Sequence, residues 1–238
     1  MQHKRVLLYI VISALLCIRL SAQEQTGIKS TADCAIGLNS MQGYEPSPLC
    51  IFGNYNILGK RFEAGAGLKL EKGDTQFTLN GSYYFFKTPQ VSLGTGIIYN
   101  FDWLHDVSIS NNFLPGFYLK WNPCSFYSLQ MNIDFFLKLR GVFALHDDLS
   151  YLINATMAFC FHNDFYLPHN INLYFEFASI ERFRYMILCA PSFIFGGRYA
   201  INDKLDISLE AAVRYIDFFT LSAHYEDTSI NLGVRYKW

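Results

Sequence analysis

Ile230-Asn231-Leu232-Gly233-Val234-Arg235-Tyr236-Lys237-Trp238 carries an apolar side chain at every even position and Asn, Gly, Arg or Lys between them. Successive residues of a strand point to opposite faces. Ile230, Leu232, Val234, Tyr236 and Trp238 therefore share one face, and Asn231, Gly233, Arg235 and Lys237 the other. A helix would scatter the same residues around its circumference. The segment before it repeats the split, with Leu205, Ile207, Leu209, Ala211, Val213 and Tyr215 opposite Asp206, Ser208, Glu210, Ala212 and Arg214.

The alternation runs back through the chain. Ile171, Leu173, Phe175 and Phe177 oppose Asn172, Tyr174, Glu176 and Ala178, and Phe62, Ala64, Ala66, Leu68 and Leu70 oppose Glu63, Gly65, Gly67, Lys69 and Glu71. Similar stretches start at Val91 and Tyr127. In all, twelve strands are expected, at about 32–40, 49–58, 61–71, 75–87, 90–101, 112–122, 126–140, 150–162, 169–179, 188–200, 204–217 and 227–238. Their lengths suit tilted strands that cross a bilayer. Tight turns at 59–60, 88–89, 123–125 and 201–203 alternate with longer segments near 102–111, 141–149, 180–187 and 218–226. The connection 163–168 is longer and 72–74 shorter than this rhythm wants, so ten strands stay open as an alternative.

Composition points the same way. Of 238 residues, 51% are hydrophobic, 17% aromatic and only 16% charged. Beyond the N-terminal run Val6–Ile18 no segment is apolar over the roughly 18 residues of a spanning helix, so the excess apolar surface is distributed with period two. That is the pattern of a transmembrane β-barrel. A net charge of -1 with no basic block argues against nucleic acid as a partner. Residues 1–22 read as an export signal, with His3, Lys4 and Arg5 before the apolar run and Ser21-Ala22 after it, leaving 23–238 as one domain. Cys34, Cys50, Cys124, Cys160 and Cys189 have neither metal-site spacing nor an even number, and read as small fillers with at most one bridge. A soluble barrel or sandwich also alternates, but twelve strands would enclose an interior too wide for these apolar side chains to fill.

At this point the chain resembles bacterial outer-membrane β-barrel proteins, whose last strand ends in a polar-x-Gly-x-x-aromatic-x-aromatic assembly signal. Asn231, Gly233, Tyr236 and Trp238 occupy those places. The resemblance implies an up-and-down antiparallel barrel in the outer membrane of a diderm bacterium, with lipid around it and both termini in the periplasm. It also implies that these four residues engage the barrel-assembly machinery. Trp121, Tyr199 and Trp238 near the turns, and Tyr99, Trp103 and Tyr215 near the loops, suit two interfacial aromatic girdles. In length and strand number the chain is also similar to small monomeric porins of the oligogalacturonate and sialic-acid type. Those have a more strongly basic lumen, so an acidic sugar is not indicated.

If the apolar face meets lipid, parity defines the lumen wall. It carries Lys69, Lys120, Lys138, Arg140, Arg198, Arg214, Arg235 and Lys237 against Asp33, Glu63, Glu71, Asp134, Glu176, Asp206 and Glu210. Eight positive and seven negative groups give no charge preference. Two readings stay open: a water-filled pore whose charges orient small polar solutes, or a cross-strand ion-pair network that plugs the barrel. Tyr84, Phe86, Tyr118, Phe136 and Tyr174 point inward by the same parity and narrow either one. A rim-located hydrolase would have to use His146-Asp147-Asp148, Asp102 with His105 and Asp106, or His224 with Glu226 and Asp227. These are ordinary loop residues, His162 and His169 read as turn surface, and no GxSxG, HExxH or phosphate loop occurs. The expectation is a passive channel for small hydrophilic solutes without catalytic residues, metal or cofactor.

Overall fold

The computed structural model describes residues 28–40, 49–71, 73–104, 107–143, 149–179, 192–217 and 222–238, with the side chains of 39–40, 142–152, 154, 156, 214–217 and 222–227 left aside. Twelve strands form: β1 (Lys29–Ser40), β2 (Leu49–Leu58), β3 (Phe62–Glu71), β4 (Asp74–Lys87), β5 (Val91–Leu104), β6 (Ser108–Cys124), β7 (Tyr127–Phe143), β8 (Leu149–Leu167), β9 (Ile171–Ala178), β10 (Ser192–Ala200), β11 (Leu205–Asp217) and β12 (Ser222–Lys237). Each pairs antiparallel with its sequence neighbours, and β1 pairs with β12 to close the barrel. At the seam Ser30 and Trp238 exchange backbone hydrogen bonds of 3.2 and 3.0 Å. Closure leaves no strand edge with open backbone groups, the condition for placing a sheet in lipid.

Burial is inverted relative to a soluble domain. Among the described residues twenty buried side chains are polar or charged and twelve are apolar, while the aromatic and aliphatic positions of the strands lie on the outside. Phe117 and Ile153 are each 71% exposed and Leu232 63%. The outer face is thus an apolar wall and the inner face a polar one, as the alternation requires. Trp121, Tyr199 and Trp103 are outward and exposed. Trp238 packs edge-on against Tyr55 and Tyr236, with ring centroids 5.8 and 5.1 Å away.

Several strands outrun their expected limits. β8 continues to Leu167, so the long connection expected at 163–168 is strand and only 168–170 turns, on His169 and Asn170 with φ of 63° and 62°. That removes the longer connection as a reason for ten strands, and the closed order of twelve excludes that alternative. β5 and β6 extend to Leu104 and from Ser108, and β12 begins at Ser222, so much of 102–111 and 218–226 is wall rather than loop. Polar loop-like residues are stable there because inward positions favour them. Pro115 sits on the outward face of β6, and pairing with β7 lapses between Phe113 and Gly116, as a residue without an N–H requires.

The inward position expected for Phe86 is overturned. The β4–β5 register slips between Tyr84 and Phe86, so Tyr84 pairs with Gly94 while Phe86 pairs with Leu93. This bulge inserts one residue and turns Phe86 outward, 49% exposed. The four described cysteines, Cys34, Cys50, Cys124 and Cys160, are free. Residues 1–22 and Cys189 lie outside the described residues.

Candidate functional site

The lumen divides into two sectors. Across β3 to β7 the inward side chains pack against one another. Ile98, Leu114, Phe136 and Ala158 form a small apolar cluster, with Phe136 fully buried. Beside it a ladder of amides crosses three strands: Asn112 Nδ2 donates to Asn100 Oδ1 (2.9 Å), and Asn100 Nδ2 donates to Thr78 Oγ1 (3.0 Å). Toward the loop end Lys69 Nζ lies 2.9 Å from both Asp74 and Glu71, and all three side chains are almost wholly buried. Gln76 Nε2 adds a hydrogen bond to Asp74 at 3.3 Å. Ion groups removed from water are tolerable only when paired and hydrogen-bonded in this way. Asp134 and Lys138 are buried on β7, and Arg140 donates to Ser108 Oγ at 3.1 Å. Lys120 meets Glu63 at 2.5 Å beneath the Tyr84 ring, 5.2 Å from its Nζ, and Tyr84 donates to the same carboxylate.

On the other side, chiefly from β8 round to β2 and completed by Asn80 of β4 and Gln130 and Asn132 of β7, the lumen holds a cavity of 910 Å³ that reaches the turn end at Pro168, His169 and Lys237. Glu176, Arg198, Asp206, Glu210 and Arg235 line it, with Asp33 and Lys237. Arg235 is ion-paired with Asp33, and Lys237 with Asp206 at 2.7 Å. Glu210 accepts from Tyr174 Oη (3.0 Å) and from Asn231 Nδ2 (2.9 Å). Tyr174 reaches Glu210 by lying flat over Gly196, where any Cβ would collide with its ring. Arg198 stands over the Tyr174 ring at 5.6 Å. Nearer the loop end the inward positions Ala178, Ser192, Ala212 and Ser229 are small and buried, and they are not part of the cavity lining.

Thus Lys69, Lys120, Asp134, Lys138 and Arg140 belong to the packed sector, while Glu176, Arg198, Asp206, Glu210 and Arg235 share the cavity. Arg214 pairs with Ser192 through its backbone, and its side chain is among those left aside. Asn231 and Gly233 face inward and line the cavity, and Tyr236 and Trp238 occupy outward register positions.

Some residues were placed differently by sequence reasoning. His162, expected on a turn surface, points into the cavity between Glu176 (Nδ1, 2.9 Å) and Asp164 (Nε2, 3.3 Å), because β8 runs past it. Asp102, expected in an outer loop, is an inward, buried residue of β5. His105, Asp106 and His146-Asp147-Asp148 lie outside the described residues, and β12 takes in His224, Glu226 and Asp227. Ile98 and Leu114 in the lumen, and the cavity amides Asn54, Asn56, Asn80 and Gln130, had not been singled out. Their signal was the same parity, applied to residues without charge. No group of His, Cys, Asp or Glu among the described residues is arranged to hold a metal ion.

No protein-family model and no curated protein matches the sequence. Solved structures do match in fold. The KdgM porin superposes with a TM-score of 0.58 at 11% identity, over 87% of this chain and 98% of that one. The NanC porin gives 0.58 at 14% identity, over 87% and 100%. The translocator domain of autotransporter NalP from Neisseria meningitidis gives 0.50 at 11%, over 97% of each chain. The fold of this chain is therefore that of the outer-membrane β-barrels, with small porins among its structural relatives.

Proposed function

We propose that this protein is an outer-membrane channel for small hydrophilic solutes, and that its path follows the β8-to-β2 side of the lumen. The observation that carries this reading is the 910 Å³ cavity, lined mostly by residues with polar or charged side chains and reaching the turn end. A solute entering it exchanges water for fixed amides and paired charges, so passage costs little desolvation. The packed β3-to-β7 side serves as a thickened wall that keeps the barrel round. Lipid covers the outward apolar face, and Asn231, Gly233, Tyr236 and Trp238 would present the last strand to the assembly machinery during insertion. The chemistry this reading requires is passive, and it asks no side chain to act as nucleophile, acid or base.

The buried band of Ala178, Ser192, Ala212 and Ser229 on β9 to β12 supports a second reading, a structural or surface-binding barrel whose lumen is closed toward the loop end. Planar-bilayer recording of the refolded protein under a salt gradient separates the two. Steady, ohmic steps are expected from the channel. A barrel that inserts and stays silent would establish the closed one.

A further inference from the structure

The cavity wall has two chemically different halves. On β8 to β12 and β1 every carboxylate is already engaged: Asp33 by Arg235, Asp206 by Lys237, Glu210 by Tyr174 and Asn231, and Asp164 and Glu176 by His162. The facing half carries Asn54 and Asn56 on β2, Asn80 on β4 and Gln130 on β7. No hydrogen bond among the described residues engages these four side chains. Asn56 and Asn80 both pair in register with Gly65 of β3. Their amide oxygens converge over that bare backbone, where an added Cβ would lie 2.6 Å from Asn80 Oδ1 and closer still to Asn56 Oδ1. Asn54 lies two residues along the same face of β2, about 7 Å away.

An unpaired primary amide offers two donors and an acceptor without charge. Four of them around one cavity match a ligand whose surface is a dense set of hydroxyls, each able to donate and accept. Tyr166 stands at the mouth, 46% exposed, and offers an electron-rich ring face on which the C–H face of a sugar ring can stack. The formal charges act against an anion: Asp33, Asp164, Glu176, Asp206 and Glu210 outnumber Arg198, Arg235 and Lys237 by two, and by one when His162, which needs both ring protons to bridge Asp164 and Glu176, is counted as a cation.

We propose that the cavity is a subsite for a neutral, hydroxylated solute, a sugar or short neutral oligosaccharide, held by Asn54, Asn56, Asn80 and Gln130. This deepens the channel reading above by naming the class of solute.

The test uses maltotriose and trigalacturonate, neutral and acidic probes of equal length. Calorimetric titration of the full refolded barrel in detergent is expected to give saturable binding of maltotriose and none of trigalacturonate. The triple variant N54L/N56L/N80L should lose about tenfold or more in affinity, the sum of several ordinary hydrogen bonds. Equal or tighter binding of trigalacturonate, or unchanged affinity in the triple variant, overturns the proposal. If the triple variant does not refold, Asn80→Leu and Gln130→Leu answer the same question singly. A silent barrel that still binds maltotriose removes the channel reading and upholds the subsite. A conducting barrel indifferent to maltotriose does the reverse.

Discussion

Strands β3 to β7 and strands β8 to β2 carry the same alternation of apolar and polar positions, and both present the apolar set outward, yet they fill the lumen differently. In the first, inward Tyr84, Leu114, Tyr118 and Phe136 are large, and their bulk meets across the strands until Phe136 has no exposed surface. In the second, Ala35, Gly196 and Gly233 keep the wall thin, and the long side chains of Arg198, Glu210 and Arg235 line the cavity, held by Tyr174, by Tyr174 and Asn231, and by Asp33. Twelve strands set the diameter. The size of the inward residues then decides where that diameter is used for packing and where for a passage.

That contrast can be broken most severely from the packed side. Phe136→Ala removes the centre of the apolar cluster and should cost about 3–5 kcal/mol, as deletion of a buried aromatic ring does. Urea unfolding from lipid vesicles, followed by tryptophan fluorescence, reads the loss. The same variant should conduct at least as well as the parent, because the ring borders the lumen. Lys69→Met leaves Asp74 and Glu71 buried without their cation and is expected to cost a similar amount, about 3–5 kcal/mol. Partial recovery in K69M/D74N would show that the uncompensated carboxylates, rather than lost packing, are responsible.

A smaller effect compares outside with inside. Leu232→Arg on the lipid face should cost about 2–4 kcal/mol near the bilayer midplane. Ser208→Arg, which turns the same charge into the cavity, should insert normally, as judged by heat-modifiable mobility on gels. If the two behave alike, the inside-out assignment fails. The mildest change is Tyr174→Phe. It deletes one hydrogen bond to Glu210 and should cost about 0.5–1.5 kcal/mol in unfolding, while shifting ion selectivity because a lumen carboxylate loses its donor.

Much of this was legible in the residues. The parity of Leu205–Tyr215 and Ile230–Trp238 assigned both faces, because a one-residue error would have placed Arg235 and Glu210 in lipid. Strand ends were harder to read. Ser108 and Ser110 look like loop, and His162 and Asp164 look like turn, because inward barrel positions accept the same polar residues that loops do. The Phe86 bulge has no marker in the chain beyond consecutive aromatics. The division into sectors was not legible either, since it depends on which inward residues stand opposite each other across the barrel. The uncharged amides carry no marker beyond parity, which places them inward without distinguishing them from any other polar wall residue.

The central claim is that solutes pass through this cavity, past its amide-lined wall, and single-channel recording of Asn80→Trp and Asn56→Trp beside the parent tests it most directly. The parent should give steady ohmic steps, and both variants markedly smaller ones at unchanged insertion. A parent that inserts without conducting, or variants whose steps match the parent's, would contradict it.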